Sequence, residues 1–232
     1  MNGAETEKSK FELVGKGLLI LVLASWAWAI FMAPSEQNMG EIYRIIYLHV
    51  PSAFSAFFCA FVLFLISVYA LMKKDEALLL PMQASSELGL LFTVLTLVTG
   101  SLWGYPTWGT FWTWDARLTT TLLLAILLAG YLLVHRSFSD PRRQLKVCAS
   151  LGILIFADVP IIYKSVTWWR TLHQPQTILR AGGSTMDPEM LRVLLINLVL
   201  LLAFGLFLII KRTKNLRLAK KIEAFTLSDL HM

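Results

Sequence analysis

Long apolar runs, interrupted by short polar connections, set the character of this chain. Six of them stand out, at about 14–33, 50–72, 85–103, 118–134, 147–163 and 191–210. Each meets or exceeds the roughly 17 residues that a helix needs to cross hydrocarbon. The period-two alternation of a membrane β-strand is absent, and a spanning segment without it must satisfy its backbone polar groups internally, as a helix does. The pattern predicts an all-α polytopic membrane protein with six transmembrane helices, 1–232 forming one membrane domain. No repeat of 20–50 residues is visible. The polar start, Met1 to Lys10, runs into the first apolar stretch without a small-residue cleavage pattern, so that stretch is expected to be a span and not a removed signal.

Composition agrees. Apolar residues make up 56% of the 232 and charged residues 16%, with mean hydropathy +0.64, whereas soluble domains carry about a quarter charged residues. The net charge of +6 points to topology and acidic lipid, not nucleic acid, because of where the basic residues fall. Fifteen Lys and Arg flank one side of the six spans, from Lys8 through Arg142 and Arg143 to Lys221. Six flank the other: Arg44, Arg117, Lys164, Arg170, Arg180 and Arg192. An excess of positive charge marks the cytoplasmic side, so both termini are expected there. Cys59 and Cys148 each stand alone, with no CxxC and no CxxCH, which argues against thiol exchange and against a c-type cytochrome. A Walker A pattern is also missing, and no Ser/His/Asp or thiol arrangement suggests a nucleophilic enzyme.

The less basic side has three polar connections, at about 34–49, 104–117 and 164–190. The second holds Trp108, Trp112 and Trp114, follows directly on Trp103, and ends in Asp115-Ala116-Arg117. An aromatic belt would decorate both membrane interfaces, yet no tryptophan falls at the basic side. Closely spaced indoles instead suggest a flat apolar platform for a large planar ligand. Trp108 and Trp112, four apart, would share a face if helical. Gly104 and Gly109 would let the backbone approach a ligand. Arg117 offers a planar fork for a carboxylate, or an ion pair with Asp115.

The stretch Trp108-Gly-Thr-Phe-Trp112-Thr-Trp114-Asp115-Ala-Arg117-Leu-Thr119 resembles the tryptophan-rich WWD signature of the haem-handling proteins of cytochrome c maturation. A single short chain with six spans resembles, within that group, the haem exporter protein C family. Tyr47-Leu48-His49-Val50-Pro51 and Asp158 to Tyr163 through Trp168-Trp169-Arg170-Thr171-Leu172-His173-Gln174 also match, so the likeness covers nearly the whole chain.

Neutral imidazole is a common axial ligand of haem iron, and two from opposite sides make a six-coordinate site. His49 and His173 flank the platform in sequence and share its side, and the resemblance carries axial ligation onto both. It further implies a non-covalent haem b cargo, held at the periplasmic face of the bacterial inner membrane and passed to a haem chaperone, protein E. The expected role is transfer, not enzymatic turnover, though assistance to covalent attachment on the chaperone belongs to the same picture. An ABC ATPase complex of subunits A and B and a small membrane protein D are the other implied partners. The competing expectations are a permease subunit moving a small substrate, or a scaffold subunit that binds no haem.

Arg44 is expected at a lipid headgroup or a haem propionate, and Trp168 and Trp169 near His173 or at the interface. His135, beside Arg136, is expected to face headgroups. Pro51 suits the first turn of the second helix. Asp158, two before Pro160, is expected to cap a broken fifth helix or to meet the site. Glu87 and Asn197 are expected to bond between helices. The Ala181–Ser184 stretch reads as flexible, and Asp187-Pro188 as the start of the sixth helix.

Overall fold

The structure is a computed structural model that describes residues 3–174 and 183–230. Arg180, Ala181 and Gly182 lie outside the described residues, as does His231. The described residues form six α-helices: α1 Gly3–Met32, α2 Ile46–Lys73, α3 Leu79–Trp108, α4 Ala116–His135, α5 Pro141–Trp168 and α6 Pro188–Leu230. Every one is long and apolar enough to cross a membrane, and no strand occurs among the described residues.

The helices outrun the apolar runs because their ends are set by caps, not by hydropathy. Asp115, Asp140 and Asp187 each accept a backbone N–H two residues on, starting α4, α5 and α6, where a short acceptor satisfies donors that the helix leaves open. Pro141 and Pro188 occupy first-turn positions that need no N–H. Asp187-Pro188 thus starts α6 as the sequence suggests. Gly109, at φ +75°, ends α3.

Two prolines behave otherwise than expected. A 3-10 turn over Glu41–Ile45 leads into α2, so Pro51 lies inside the helix and not in its first turn. Pro160 does not break α5, which runs unbroken to Trp168; membrane helices tolerate proline where freed backbone groups find other partners. Asp158 is therefore not a cap. It is buried in α5, with Oδ2 unpartnered among the described residues.

α2 is the central helix, packed on α3, α5 and α6, while α4 completes the α3–α5 side and α1 lies against α6. Hydrocarbon rewards apolar contact between helices no more than lipid contact does, so close approach depends on small residues. Gly152 of α5 meets Leu63 and Ser67 of α2: an added Cβ would come within 3.2 Å of Leu63 Cγ and closer still to the Ser67 hydroxyl. Polar pairs add specificity. Ser25 donates to Asn197 Oδ1 at 3.0 Å, joining α1 to α6, and Glu87 of α3 pairs with Arg212 of α6. Both acceptors thus bond between helices as anticipated. His135 does not face headgroups. It is buried, with Nε2 3.3 Å from the Leu79 carbonyl, because α4 ends against the start of α3.

Near the tryptophan end, Ala29, Tyr43, Tyr47, Val193 and Leu194 belong to one core cluster, against which Trp103 and Met39 pack. This cluster anchors the elements that carry the site.

Candidate functional site

A half-open cavity of about 580 Å³ lies at the tryptophan end between α2, α3, α4 and the segment after α5. That size falls within the range of small-molecule and cofactor sites, about 300–1,000 Å³. Its walls include His49, His173, Trp103, Trp108, Arg117 and Gly104.

The two imidazoles, 124 positions apart in the chain, meet here with ring centres 6.5 Å apart and planes 34° apart. Metal–imidazole bonds of about 2 Å, with about 1 Å from nitrogen to ring centre, put two axial imidazoles about 6 Å apart. The observed spacing suits a shared iron. Trp103 stands edge-on to His49, at 5.7 Å and 77°, and Trp108 is tilted beside His173 at 6.3 Å.

His49 projects from the first turn of α2 and is 8% exposed, with Nδ1 3.0 Å from Thr99 Oγ1 of α3. His173 is held differently, in the segment after α5. Its Nδ1 lies 3.2 Å from the Gln174 carbonyl. A carbonyl can only accept, so this nitrogen carries the proton and Nε2 keeps its lone pair. Burial and the nearby Arg117 charge push the His173 pKa down to about 4. The ring is neutral, as a ligand must be.

Asp115 fastens this segment. One carboxylate oxygen caps α4; the other accepts from the Thr171 hydroxyl and from Leu172 N–H. Thr171 Oγ1 in turn accepts the His173 N–H at 3.0 Å. Burial alone would raise the Asp115 pKa. The hydrogen bonds from Thr171, Arg117 N–H and Leu172 N–H outweigh it and hold the carboxyl below its usual range. The aspartate of the tryptophan motif therefore sets the position of a histidine 58 residues away.

Arg117 and Asp115 do not form the expected ion pair. Their link is the Arg117 backbone N–H, and the guanidinium donates instead to the Tyr163 carbonyl at 3.0 Å. Arg117 Nε and Trp103 Nε1 are buried in the cavity wall with no acceptor among the described residues. Two orphaned donors in one wall suit a ligand bearing acceptors such as carboxylates.

Arg44 is placed elsewhere. Its guanidinium donates to the Ile30 and Ala33 carbonyls at 2.7 Å each and pairs with Glu41. These contacts close the open end of α1 and leave it out of the cavity wall. α3 extends through Trp108, so the connection is shorter than 104–117, and Trp112 lies beyond the helix, sharing no helical face with Trp108. Trp112 and Trp114 stack edge-on at 5.6 Å outside the cavity wall, Trp114 being 77% exposed. Trp168 and Trp169 are exposed and also outside it. Gly104 lines the cavity and also makes room for the Trp108 indole, 2.9 Å from where a Cβ would sit, whereas Gly109 has open space around it and serves as the cap. Sequence reasoning missed Thr99 and Gly100, which contact His49; in a transmembrane helix such small residues look like ordinary packing.

The family described as Heme exporter protein C matches residues 6–228. The Heme exporter protein C of Bradyrhizobium diazoefficiens is 37% identical over 190 residues, 82% of this chain and 71% of the relative. That of Escherichia coli is 34% identical over 198 residues, 85% and 80%, and that of Haemophilus influenzae 39% over 162 residues, 70% and 66%. Taken with six membrane-spanning helices, these matches establish that the chain is a multi-pass member of the haem exporter protein C family, whose business is haem transport in cytochrome c biogenesis.

Proposed function

We propose that this protein binds non-covalent haem b in the cavity between His49 and His173 and passes it to a haem chaperone, protein E, at the periplasmic face of the inner membrane. The observation that carries the reading is the convergence of the two imidazoles at 6.5 Å beside two tryptophans. Haem supplies an iron with two open axial positions and two carboxylates, and the chain offers a complement to each. Nε2 of His173 has its lone pair free because Nδ1–H is engaged. Arg117 and the Trp103 N–H offer donors for the carboxylates. Trp103 and Trp108 cover apolar ring surface and keep water from the iron side.

The cavity is half open, which leaves part of the cargo within reach of a chaperone. Trp112 and Trp114 lie outside the cavity wall, Trp114 well exposed, and serve as the surface on which that chaperone sits. The excess of basic residues at the opposite end supports cytoplasmic termini and a periplasmic cavity. Subunits A and B of an ABC ATPase, with small protein D, complete the assembly in this reading.

The test is the absorption spectrum of protein purified from haem-replete cells. Wild type should carry a Soret band, and the His49→Ala/His173→Ala double variant should be inserted and colourless. A double variant as coloured as wild type would sink the reading.

A further inference from the structure

His49 rests against a single turn of α3. Thr99 Oγ1 lies 3.0 Å from His49 Nδ1. The same hydroxyl lies 2.7 Å from the Leu95 carbonyl and 3.2 Å from the Thr96 carbonyl. Carbonyls only accept, so the one hydroxyl proton is directed back along α3. What the hydroxyl has left for the imidazole is a lone pair, and the proton between them must belong to His49 Nδ1. A neutral imidazole has one such proton, so Nε2 is left as the free base. Gly100 completes the cradle. A Cβ there would lie 3.0 Å from His49 Cε1 and 3.5 Å from Nδ1, so the ring would have to shift by a few tenths of an ångström.

We propose that Thr99 is a positioning residue for haem ligation: it fixes the Nδ1–H tautomer of His49, so that Nε2 is the nitrogen offered to iron, while Gly100 supplies the space. This rests on the reading of His49 as an axial ligand. The acceptor chosen has a chemical consequence. Donation to a carboxylate strengthens an imidazole ligand, and loss of such an outer contact costs metal sites about 10- to 100-fold in affinity. A neutral hydroxyl strengthens the ligand less, which orients it without making the cargo hard to release.

Ring nitrogen-15 signals of His49, recorded on the full chain without haem in lipid nanodiscs, test the tautomer directly. Wild type should show a protonated Nδ1 and an unprotonated Nε2; the reverse assignment overturns the proposal. Thr99→Val should mix the two tautomers and weaken haem binding roughly 10-fold or more, with Thr99→Ser restoring both. A Thr99→Val protein that binds haem as wild type does, or a Thr99→Ser protein no better than Thr99→Val, also overturns it. The nitrogen signals need no haem. If no variant and not even wild type binds haem, the ligand reading fails while the tautomer is still decided.

Discussion

His49 and His173 face one cavity, but two different kinds of structure hold them. His49 belongs to the central helix and is pinned by the Thr99 hydroxyl of α3, beside Gly100, where a Cβ would crowd the ring. To move it, α2 must move against helices packed on several sides. His173 sits on irregular backbone, tied down by one carboxylate through Thr171 and Leu172. Among the described residues its ties are a handful of part-buried hydrogen bonds, those to the carboxylate worth about 1.5–3 kcal/mol each, and not a packed helix. The difference suggests a division of labour for a protein that must both hold a cargo and give it up: His49 as the fixed ligand, His173 as the one that lets go.

The strongest break in that comparison comes from removing each ring alone. His49→Ala should abolish haem retention. His173→Ala should leave a weakly coloured protein whose Soret band is restored by millimolar imidazole, because the more exposed side of the iron admits a free ligand. Optical spectra of the two purified variants decide it. Equal loss, with equal rescue, would mean that the two supports are equivalent.

Next comes the latch. Asp115→Ala removes both the α4 cap and the anchor of the His173 segment. Cap loss should cost about 1 kcal/mol of stability, whereas haem affinity should fall roughly 10-fold or more, as for an outer contact of a metal ligand. Thermal melting and haem titration read these separately. Asp115→Asn keeps one acceptor and should fall between. If Asp115→Ala melts lower yet binds haem normally, the carboxylate is a cap only.

How much of this was legible beforehand depends on the distance over which each feature is determined. Six helices followed from apolar runs because burial in hydrocarbon is a local property of composition. Their true ends did not, since α3 continues through Pro106 to Trp108 and α6 through a basic stretch to Leu230. That His49, His173 and Trp108 would fall at one end of the helices was readable by counting spans, and one cavity holds all three. Arg44 was misplaced, and the Asp115–Arg117 ion pair did not form, because an arginine meets its real partners, here the carbonyls of Ile30, Ala33 and Tyr163, only through tertiary packing. Asp115 holding Thr171, and Thr99 holding His49, join positions 50 or more apart and leave no local trace.

Acid sharpens the contrast more gently. The His173 pKa lies near 4, below the ordinary imidazole value of 6.5, owing first to burial. A depressed value means that the ring stays a free base as pH falls through 6.5 and becomes a cation only on approach to 4. Haem retention should therefore be flat from about pH 8 to 5.5 and fall below about pH 5. A loss centred near 6.5 would show that the segment is already open to water.

The smallest effect is expected at the exposed tryptophans. Trp108 lines the cavity beside His173, so Trp108→Ala should lower haem retention several-fold. Trp114, 77% exposed and outside the cavity wall, touches no ligand in this arrangement. Trp114→Ala should leave the Soret band of the purified protein within about a quarter of wild type. An exposed indole is nonetheless the kind of residue that anchors a partner. The same variant should therefore load less haem onto the chaperone, measured as covalent haem on protein E after coexpression. If retention falls as much as in Trp108→Ala, the motif works as one continuous platform. The division between a cavity wall and an outer docking rim would then be withdrawn.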